Sequence, residues 1–323
     1  MMDVVVSEIV EEARDIRVLT LHAVDGGDLP AYEAGAHIDV HVMVDGTELI
    51  RQYSLCRGQG RSDSYEIAVQ RAADSRGGSK ALHDALRPGD VLRIGEPRIL
   101  FPLAAEATEH LLIGGGIGIT PLLSMAEDLS ARKAAFHLHY CVRDEAHLAF
   151  VARLRGAALA GKTNIHLDSA PDSRPDIAAM LGTWREGCHV YVCGPEGFMT
   201  AVIAQAERAG WPAAHVHREY FTAPSDGVPA MDGRDDSFEV EIRSSGAVFV
   251  IPPDRSIAEV LEEGGLFLPL SCEAGVCGSC MTGLLSGTPD HRDHCLTPGE
   301  QEAGNVMTLC VSRARSRRLV LDL

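Results

Sequence analysis

From Val4 to about Phe101 apolar and polar positions alternate in short stretches, the two-residue period of strands with one buried face. Arg17–Leu21, His37–Val42 and Tyr65–Val69 fit that period, and Asp45-Gly46 and Pro88-Gly-Asp90 are turn signals between strands. Many short strands at this spacing predict a small antiparallel barrel. A brief helical pattern (Ala81, Leu82, Ala85, Leu86) opens at Gly77-Gly78-Ser79. Past residue 103 the pattern changes. His110–Ile113, Ala135–Cys141, Asn164–Leu167 and His189–Cys193 read as strands. Helical segments lie between them, one burying Leu122, Met125, Ala126 and Leu129, a later one Phe198, Val202 and Ala206. Strands alternating with helices predict a parallel α/β sheet.

Residues 223–236, rich in Pro, Gly and Asp and without periodicity, read as a linker. Beyond them Phe238, Val240 and Ile242 alternate, Ser245-Gly246 turns, and Val248–Val250 returns as a hairpin. Ser256 and Glu259 have capping-box spacing, with Ile257, Val260 and Leu261 on the inner helix face and Gly264-Gly265 as the stop. The expected architecture is multidomain: an antiparallel β-barrel at residues 1–102, an α/β parallel-sheet domain at 103–224, a linker at 225–236 and a β-grasp-like domain at 237–323.

Composition narrows the class. The 323 residues are 46% hydrophobic and 23% charged, as in soluble globular proteins. No apolar run approaches the roughly 18 residues of a membrane span. The start, Met1-Met-Asp-Val-Val, lacks a charged-then-apolar signal pattern, so cytoplasmic residence is expected. A net charge of −17 argues against nucleic acid and anionic membranes as partners, leaving small molecules and proteins.

The most specific chemistry is Cys272-Glu-Ala-Gly-Val-Cys277-Gly-Ser-Cys280, answered by Cys310. C-x4-C-x2-C with one distant Cys is the spacing of a plant-type [2Fe–2S] site. Gly275 and Gly278 permit the sharp turn that brings thiolates of one loop around a cluster. A four-Cys zinc site usually comes as two C-x2-C pairs. A disulfide framework suits a short secreted chain, not this one with nine cysteines. Cys295 lies outside the ligand pattern and reads as a spectator. Arg313, Arg315, Arg317 and Arg318 form the one dense basic run, either a solvated face or a docking patch for an acidic partner.

Gly114-Gly-Gly116-Ile-Gly118-Ile-Thr120-Pro121 joins a strand to a helix, the arrangement that holds a pyrophosphate. It is not G-x-G-x-x-G, because Ile119 stands where the third glycine would fall. Thr120 is the expected N-cap and Pro121 the first helical residue. A later strand ends in Cys193-Gly194-Pro195. Carboxyl ends of parallel strands line the ligand crevice, so Thr120, Arg143, Asp144 and Cys193 should converge there. Cys193 also reads as a small buried hydrophobe, and His137 and His139 as one buried and one exposed ring without metal. Arg51, Tyr53 and Ser54 share a strand and offer a cation, a ring and a hydroxyl. Gly77-Gly78-Ser79 offers free N–H groups to a phosphate. Either stretch by itself also reads as ordinary surface.

Taken in order, Arg51-Gln-Tyr-Ser-Leu55, Gly77-Gly-Ser79, the Gly114–Pro121 turn, Cys193-Gly-Pro195, Arg218-Glu-Tyr-Phe221 and the C-terminal cysteines resemble the phthalate dioxygenase reductase family over essentially the whole chain, the O-demethylase reductases in particular. The resemblance implies FMN in the barrel, NADH in the middle domain, and electron transfer from a [2Fe–2S] cluster to a separate Rieske-type oxygenase. The oxygenase would be an O-demethylase or a ring-hydroxylating or amine monooxygenase. It further implies Arg51 and Ser79 near the FMN phosphate, with Gly78 allowing backbone approach. Tyr53, Ser54 and Leu55 would lie along the isoalloxazine, Thr120 and Cys193 beside the nicotinamide, and Phe221 over the flavin face. Gly114, Gly116, Gly118, Gly194 and Pro195 would line the nucleotide, and Cys272, Cys277, Cys280 and Cys310 would ligate iron.

NADH over NADPH follows from the resemblance, since Asp144 would repel a 2′-phosphate and Arg143 attract one. A monomer is expected. The same reductase serving a haem monooxygenase or another acceptor stays open, as does a non-enzymatic redox sensor.

Overall fold

The alternation of the first hundred residues becomes a sheet of β1 (Met2–Ala13), β2 (Ile16–Ala23), β3 (Ala36–Val44), β4 (Thr47–Ser54), β5 (Tyr65–Gln70), β6 (Val91–Ile94) and β7 (Arg98–Ile99), with helix α1 (Gly78–Asp84) between β5 and β6. The computed structural model describes residues 1–58, 63–72, 77–224 and 237–323. The linker expected at 225–236 lies outside them. The chain divides into two units, Met1–Glu219 and Tyr220–Leu323.

In the first unit the strands run β4-β3-β6-β1-β2-β5, with β7 on β3. A bridge between Leu55 and Ile67 brings the two ends of that order together and closes the barrel. Asp45 (φ 50°) and Gly46 (φ 81°) supply the positive dihedrals of the β3–β4 hairpin. Inward positions such as Leu19, Leu21, Ile38, Val40, Ile67 and Ile94 fill the barrel. Its outer flank (Ile16, Val18, Ala34, Cys56, Ala68, Phe101) joins a second apolar cluster with Leu122, Met125 and Leu129.

That second cluster belongs to a five-stranded sheet built by β8 (Glu109–Gly115), α2 (Ile119–Ala131), β9 (Ala135–Val142), α3 (Val151–Leu154), β10 (Thr163–Leu167), α4 (Ile177–Leu181), β11 (Cys188–Cys193), α5 (Glu196–Arg208) and β12 (Val216–Glu219). All strand pairs are parallel and the order is β10-β9-β8-β11-β12. The chain starts in the centre, winds outward through β9 and β10, and restarts on the other side of β8. Between β8 and β11 the winding reverses, which opens a crevice at their carboxyl ends.

Two expectations change. The buried face of α5 is Met199, Val202 and Ala206, because Phe198 turns toward Gly115 and Gly194. His137 and His139 are not one in and one out: two apart on a strand, they share a face. Their ring centroids are 4.7 Å apart, and His139 meets His166 of β10 at 2.9 Å.

The second unit contains β13 (Phe238–Ile242), β14 (Val248–Ile251), α6 (Ile257–Glu263), β15 (Met281–Ser286), β16 (Pro289–Asp290), α7 (Pro298–Ala303), β17 (Val306–Thr308), β18 (Arg313–Ala314) and β19 (Arg318–Leu321). Its main sheet runs β14-β13-β19-β15-β17, and β16 pairs with β18. Antiparallel β13–β14 is the expected hairpin, while β13–β19 is parallel and ties the start of the unit to its end. α6 and α7 are too short to hold by propensity, and both open with capping boxes (Ser256–Glu259, Thr297–Glu300) that satisfy their first N–H groups. Among the described residues no helix is long and apolar enough to cross a membrane.

Candidate functional site

On β4, Arg51 and Tyr53 face one way and Ser54 the other, as the strand period requires. The backbone of α1 approaches this strand closely: a Cβ on Gly78 would stand 3.0 Å from Arg51 Cγ. Gly77, at φ 109°, makes the turn into α1 that allows this. Arg51, Gly78 and Ser79 are therefore together, with Ser79 Oγ accepting the Ala72 N–H at 3.3 Å. Ser54 is 6% exposed and the Leu55 side chain is buried in the barrel core.

At the crevice between β8 and β11, glycine lets two loops touch. A Cβ on Gly118 would lie 2.4 Å from the Cys193 carbonyl, and one on Gly194 would lie 3.0 Å from Gly115 Cα. The register pairs Gly114 with Cys193. The strand–glycine–helix turn and the Cys193-Gly194-Pro195 loop are thus one site. Thr120 is not the N-cap. Gly116–Gly118 form a 3-10 turn that runs directly into α2, so the helix starts at Ile119. Thr120 is buried in its first turn and its hydroxyl donates to the Ile117 carbonyl at 3.1 Å. Cys193 is fully buried, and burial with Glu219 nearby holds its thiol well above the usual value.

Asp144, at the end of β9, caps the next turn by accepting from Ala146 N at 3.0 Å and pairs with His147 Nδ1 at 2.7 Å. That bond from His147 keeps its carboxyl below the ordinary range. Arg143 beside it is exposed. Phe221 is 43% exposed and lies in the second unit, past the end of β12.

Sequence reading missed two groups in the first unit. Glu219 ends β12 opposite Cys193. The residue keeps some surface, but its Oε2 is enclosed and without a hydrogen-bond partner among the described residues. Burial raises its carboxyl to about 8. Arg153, on α3, bonds the Cys56 carbonyl, Glu66 and Glu127. Glu219 stood inside a quoted motif, whereas nothing in the spacing marked Arg153.

In the second unit all four pattern cysteines are free thiols, Cys277 and Cys280 buried, Cys272 and Cys310 half-buried. Among the described residues no group of three or more His, Cys, Asp or Glu is arranged to hold a metal ion. The four thiols instead form one chain of contacts. Cys272 bonds Cys277 and Cys310, and Cys280 bonds Cys310. These bonds hold Cys272 far below the ordinary thiol value and draw Cys280 down to about 7, while Cys277 and Cys310 are pushed up.

Backbone N–H groups already address the sulfurs, Ala274 N reaching Cys272 Sγ at 3.4 Å. Gly275, at φ 69°, has no room for a Cβ, which would sit 2.6 Å from Val311 Cγ2. Four unoxidised thiols in mutual contact and met by an N–H donor fit the four-cysteine set that would hold a [2Fe–2S] cluster. Cys295 stands apart, its thiol on Asp293 Oδ2 at 3.6 Å.

The structure divides the basic run. Arg313 is buried, donates to the carbonyls of Arg255 and Pro252 at 2.8 and 3.0 Å, and covers the Phe238 ring. Arg315 pairs with Asp290, and Arg318 with Glu239 and Glu241. The run spans β18, a turn and β19, so only Arg313 is turned inward, while Arg315, Arg317 and Arg318 stay exposed.

Family models match three consecutive stretches: an oxidoreductase FAD-binding domain at residues 3–101, the N-terminal domain of a dimethylamine monooxygenase subunit DmmA-like family at 98–216, and a 2Fe-2S iron-sulfur cluster binding domain at 240–315. Vanillate O-demethylase oxidoreductase of Pseudomonas sp. (strain HR199 / DSM 7063) is 46% identical over 324 aligned positions, covering 100% of both chains. The solved structure of phthalate dioxygenase reductase, described as modular for electron transfer from pyridine nucleotides to [2Fe-2S], is 38% identical with a TM-score of 0.70, covering 100% of this chain and 98% of its own. An intact type IV self-sufficient cytochrome P450 monooxygenase is 32% identical with a TM-score of 0.91, covering 100% of this chain but 41% of that longer one.

Proposed function

This chain belongs to the phthalate dioxygenase reductase family, flavin- and [2Fe–2S]-containing reductase components of oxygenase systems, and from that premise we propose that it carries FMN, oxidises NADH and reduces a Rieske-type oxygenase one electron at a time. The observation that carries the reading is the contact of Cys272, Cys277, Cys280 and Cys310 with one another in a unit that follows a barrel and a nucleotide-type sheet. FMN supplies the conversion between a hydride pair and single electrons, which a [2Fe–2S] centre requires.

The residues have positional tasks. Arg51 across Gly78, next to Ser79, would neutralise the FMN phosphate, and Tyr53 would flank its ring. Ser54 would place its hydroxyl at flavin N5. Gly116, with open space at its Cβ position, would leave backbone free of a side chain beside a pyrophosphate, while Gly114, Gly118 and Gly194 let the strand ends and the loop at Pro195 close around it. Thr120 and Cys193 would border the nicotinamide, and Phe221 would cover the flavin. NADH is carried over from the family, since Asp144 would disfavour a 2′-phosphate and the exposed Arg143 beside it would attract one. We place the domains at 1–102, 103–224 and 237–323, and the protein in the cytoplasm as a monomer.

Similarity to a fused P450 keeps a haem monooxygenase as the second reading of the acceptor. Denatured protein should release FMN and iron, and NADH should reduce it faster than NADPH. Recovery of FAD, or a preference for NADPH, overturns the corresponding assignment. Coupled reduction of a purified Rieske oxygenase, set against a haem enzyme, decides the partner.

A further inference from the structure

Ser54 closes a strand of the barrel and Thr120 opens a helix of the α/β sheet, so their separation depends on how the two packed layers of the first unit are held. One side chain grips both. Arg153 Nη2 donates to the carbonyl of Cys56, two residues beyond Ser54. Its Nε donates to Glu127 Oε1 at 2.8 Å, on α2 about two helical turns from Thr120. Its Nη1 pairs with Glu66 of β5. The same carboxylates hold the strand end again: Glu66 accepts from Arg57 Nε at 2.9 Å and Glu127 from Gly58 N at 3.0 Å. Ser124 of α2 adds a bond to the Arg57 carbonyl at 2.5 Å.

The set is charge-balanced, with two guanidinium groups against two carboxylates, and Glu66 is 6% exposed. A planar fork that satisfies three partners at fixed angles is a task for Arg and not for Lys. Arg153 is itself held. Phe150, which starts α3, sits buried at φ 60° with its N–H on Glu12 Oε1 of β1 at 2.6 Å, and the Arg153 guanidinium lies 5.3 Å from its ring centroid. A buried aromatic persists in the left-handed region only where its surroundings impose it.

We propose that Arg153 is a positioning residue that, by holding the strand beyond Ser54 and helix α2 together, sets the distance across which hydride passes from nicotinamide to flavin. This rests on the FMN and NADH assignment above. In the step the nicotinamide C4–H bond breaks with its electron pair and an N–H bond forms at flavin N5, leaving NAD⁺ and reduced flavin. Reacting atoms must stand about 3–3.5 Å apart, and a displacement of about 1 Å costs about a hundredfold in rate. The network need not break for such a loss; it need only loosen.

The experiment is stopped-flow reduction of FMN-loaded protein by NADH and by its C4-deuterated form, in wild type, Arg153→Met, Arg153→Lys, Glu127→Gln and, as control, Arg132→Met. Arg132 pairs with Asp128 on the same helix. Wild type that takes no hydride from NADH refutes the functional reading itself, whatever the variants do. With wild type active, Arg153→Met should slow reduction at saturating NADH by about tenfold or more. Nucleotide affinity should stay within about twofold, the isotope effect should change, and the nicotinamide–flavin charge-transfer band should weaken.

Lys should rescue only in part, Glu127→Gln should move the same way, and Arg132→Met should match wild type. In flavin-free protein, amide exchange at Cys56–Gly58 should quicken in Arg153→Met. Wild-type rates and band in the Arg153 variants, or unchanged exchange at those amides, overturn the proposal. So does loss of flavin from all three network variants, because Arg153 would then hold the barrel together and not set a distance.

Discussion

Folding encloses one oxygen of the Glu219 carboxyl, which has no hydrogen-bond partner among the described residues. Its native value of about 8 stands above the ordinary 4.5, so the folded chain binds a proton that the unfolded chain has lost between those two limits. Its favourable contribution is complete below pH 4.5 and disappears as pH rises through 8. His139 and His217 act oppositely: burial lowers both to about 4, so their contribution grows from pH 4 to 6.5 and is then constant. Between pH 6.5 and 8.5 the Glu219 slope is therefore expected to stand clear of them. Urea midpoints should fall more steeply toward pH 8 in wild type than in Glu219→Gln, because the shifted thiols are common to both. Parallel slopes in both proteins would contradict the burial argument. The motif around Arg218–Phe221 was visible as letters, yet the enclosure of one carboxylate oxygen depends on β11 and α/β packing that no local pattern encodes.

At the scale of elements, short pieces are held by specific caps more than by length. The loop before α6 is the clearest case. Its carbonyls at Pro252 and Arg255 are bonded by Arg313 from β18, a residue 58 positions beyond Arg255. Arg313→Met should remove the side-chain donor from both carbonyls, leaving that of Pro252 with the Arg255 N–H, and destabilise the second unit by about 1–3 kcal/mol, the order of a lost hydrogen bond to a charged group. Arg317→Met, on the exposed neighbour, should cost less than about 0.5 kcal/mol. The readout is loss of cluster absorbance with denaturant, and equal midpoints for the two variants would refute the cap. The capping boxes of the unit were legible because donor and acceptor are three residues apart. The role of Arg313 was not, since a basic run looks the same whether its members face water or carbonyls.

For the whole molecule, the division into Met1–Glu219 and Tyr220–Leu323 makes a prediction about function. A chain ending at residue 224 should keep the barrel and the α/β sheet, which share one apolar boundary. It should bind FMN and be reduced by NADH, but should fail to reduce the oxygenase, because Cys272, Cys277, Cys280 and Cys310 are gone. A truncated chain that still drives the oxygenase at the full rate would remove the cluster from the electron path. Separation of the barrel from the sheet should be harder, since Phe101, Ala34 and Cys56 pack with Met125 and Leu129.

The sequence by itself determined the order and type of the elements, the glycine turn at Gly114–Gly118, and the four cysteines. Each is set by periodicity or by spacing within a few residues, except Cys310, whose link to the loop came from the ligand count. Tertiary structure alone decided that Leu55 meets Ile67 to close the barrel, that Cys193 and Glu219 end side by side, and that Thr120 lies inside its helix instead of capping it. It also decided that Arg153 joins Cys56, Glu66 and Glu127. The physical reason is range. A strand or cap is chosen by energies between near neighbours in the chain, whereas burial, register and buried ion pairing join residues that only the packed fold brings together.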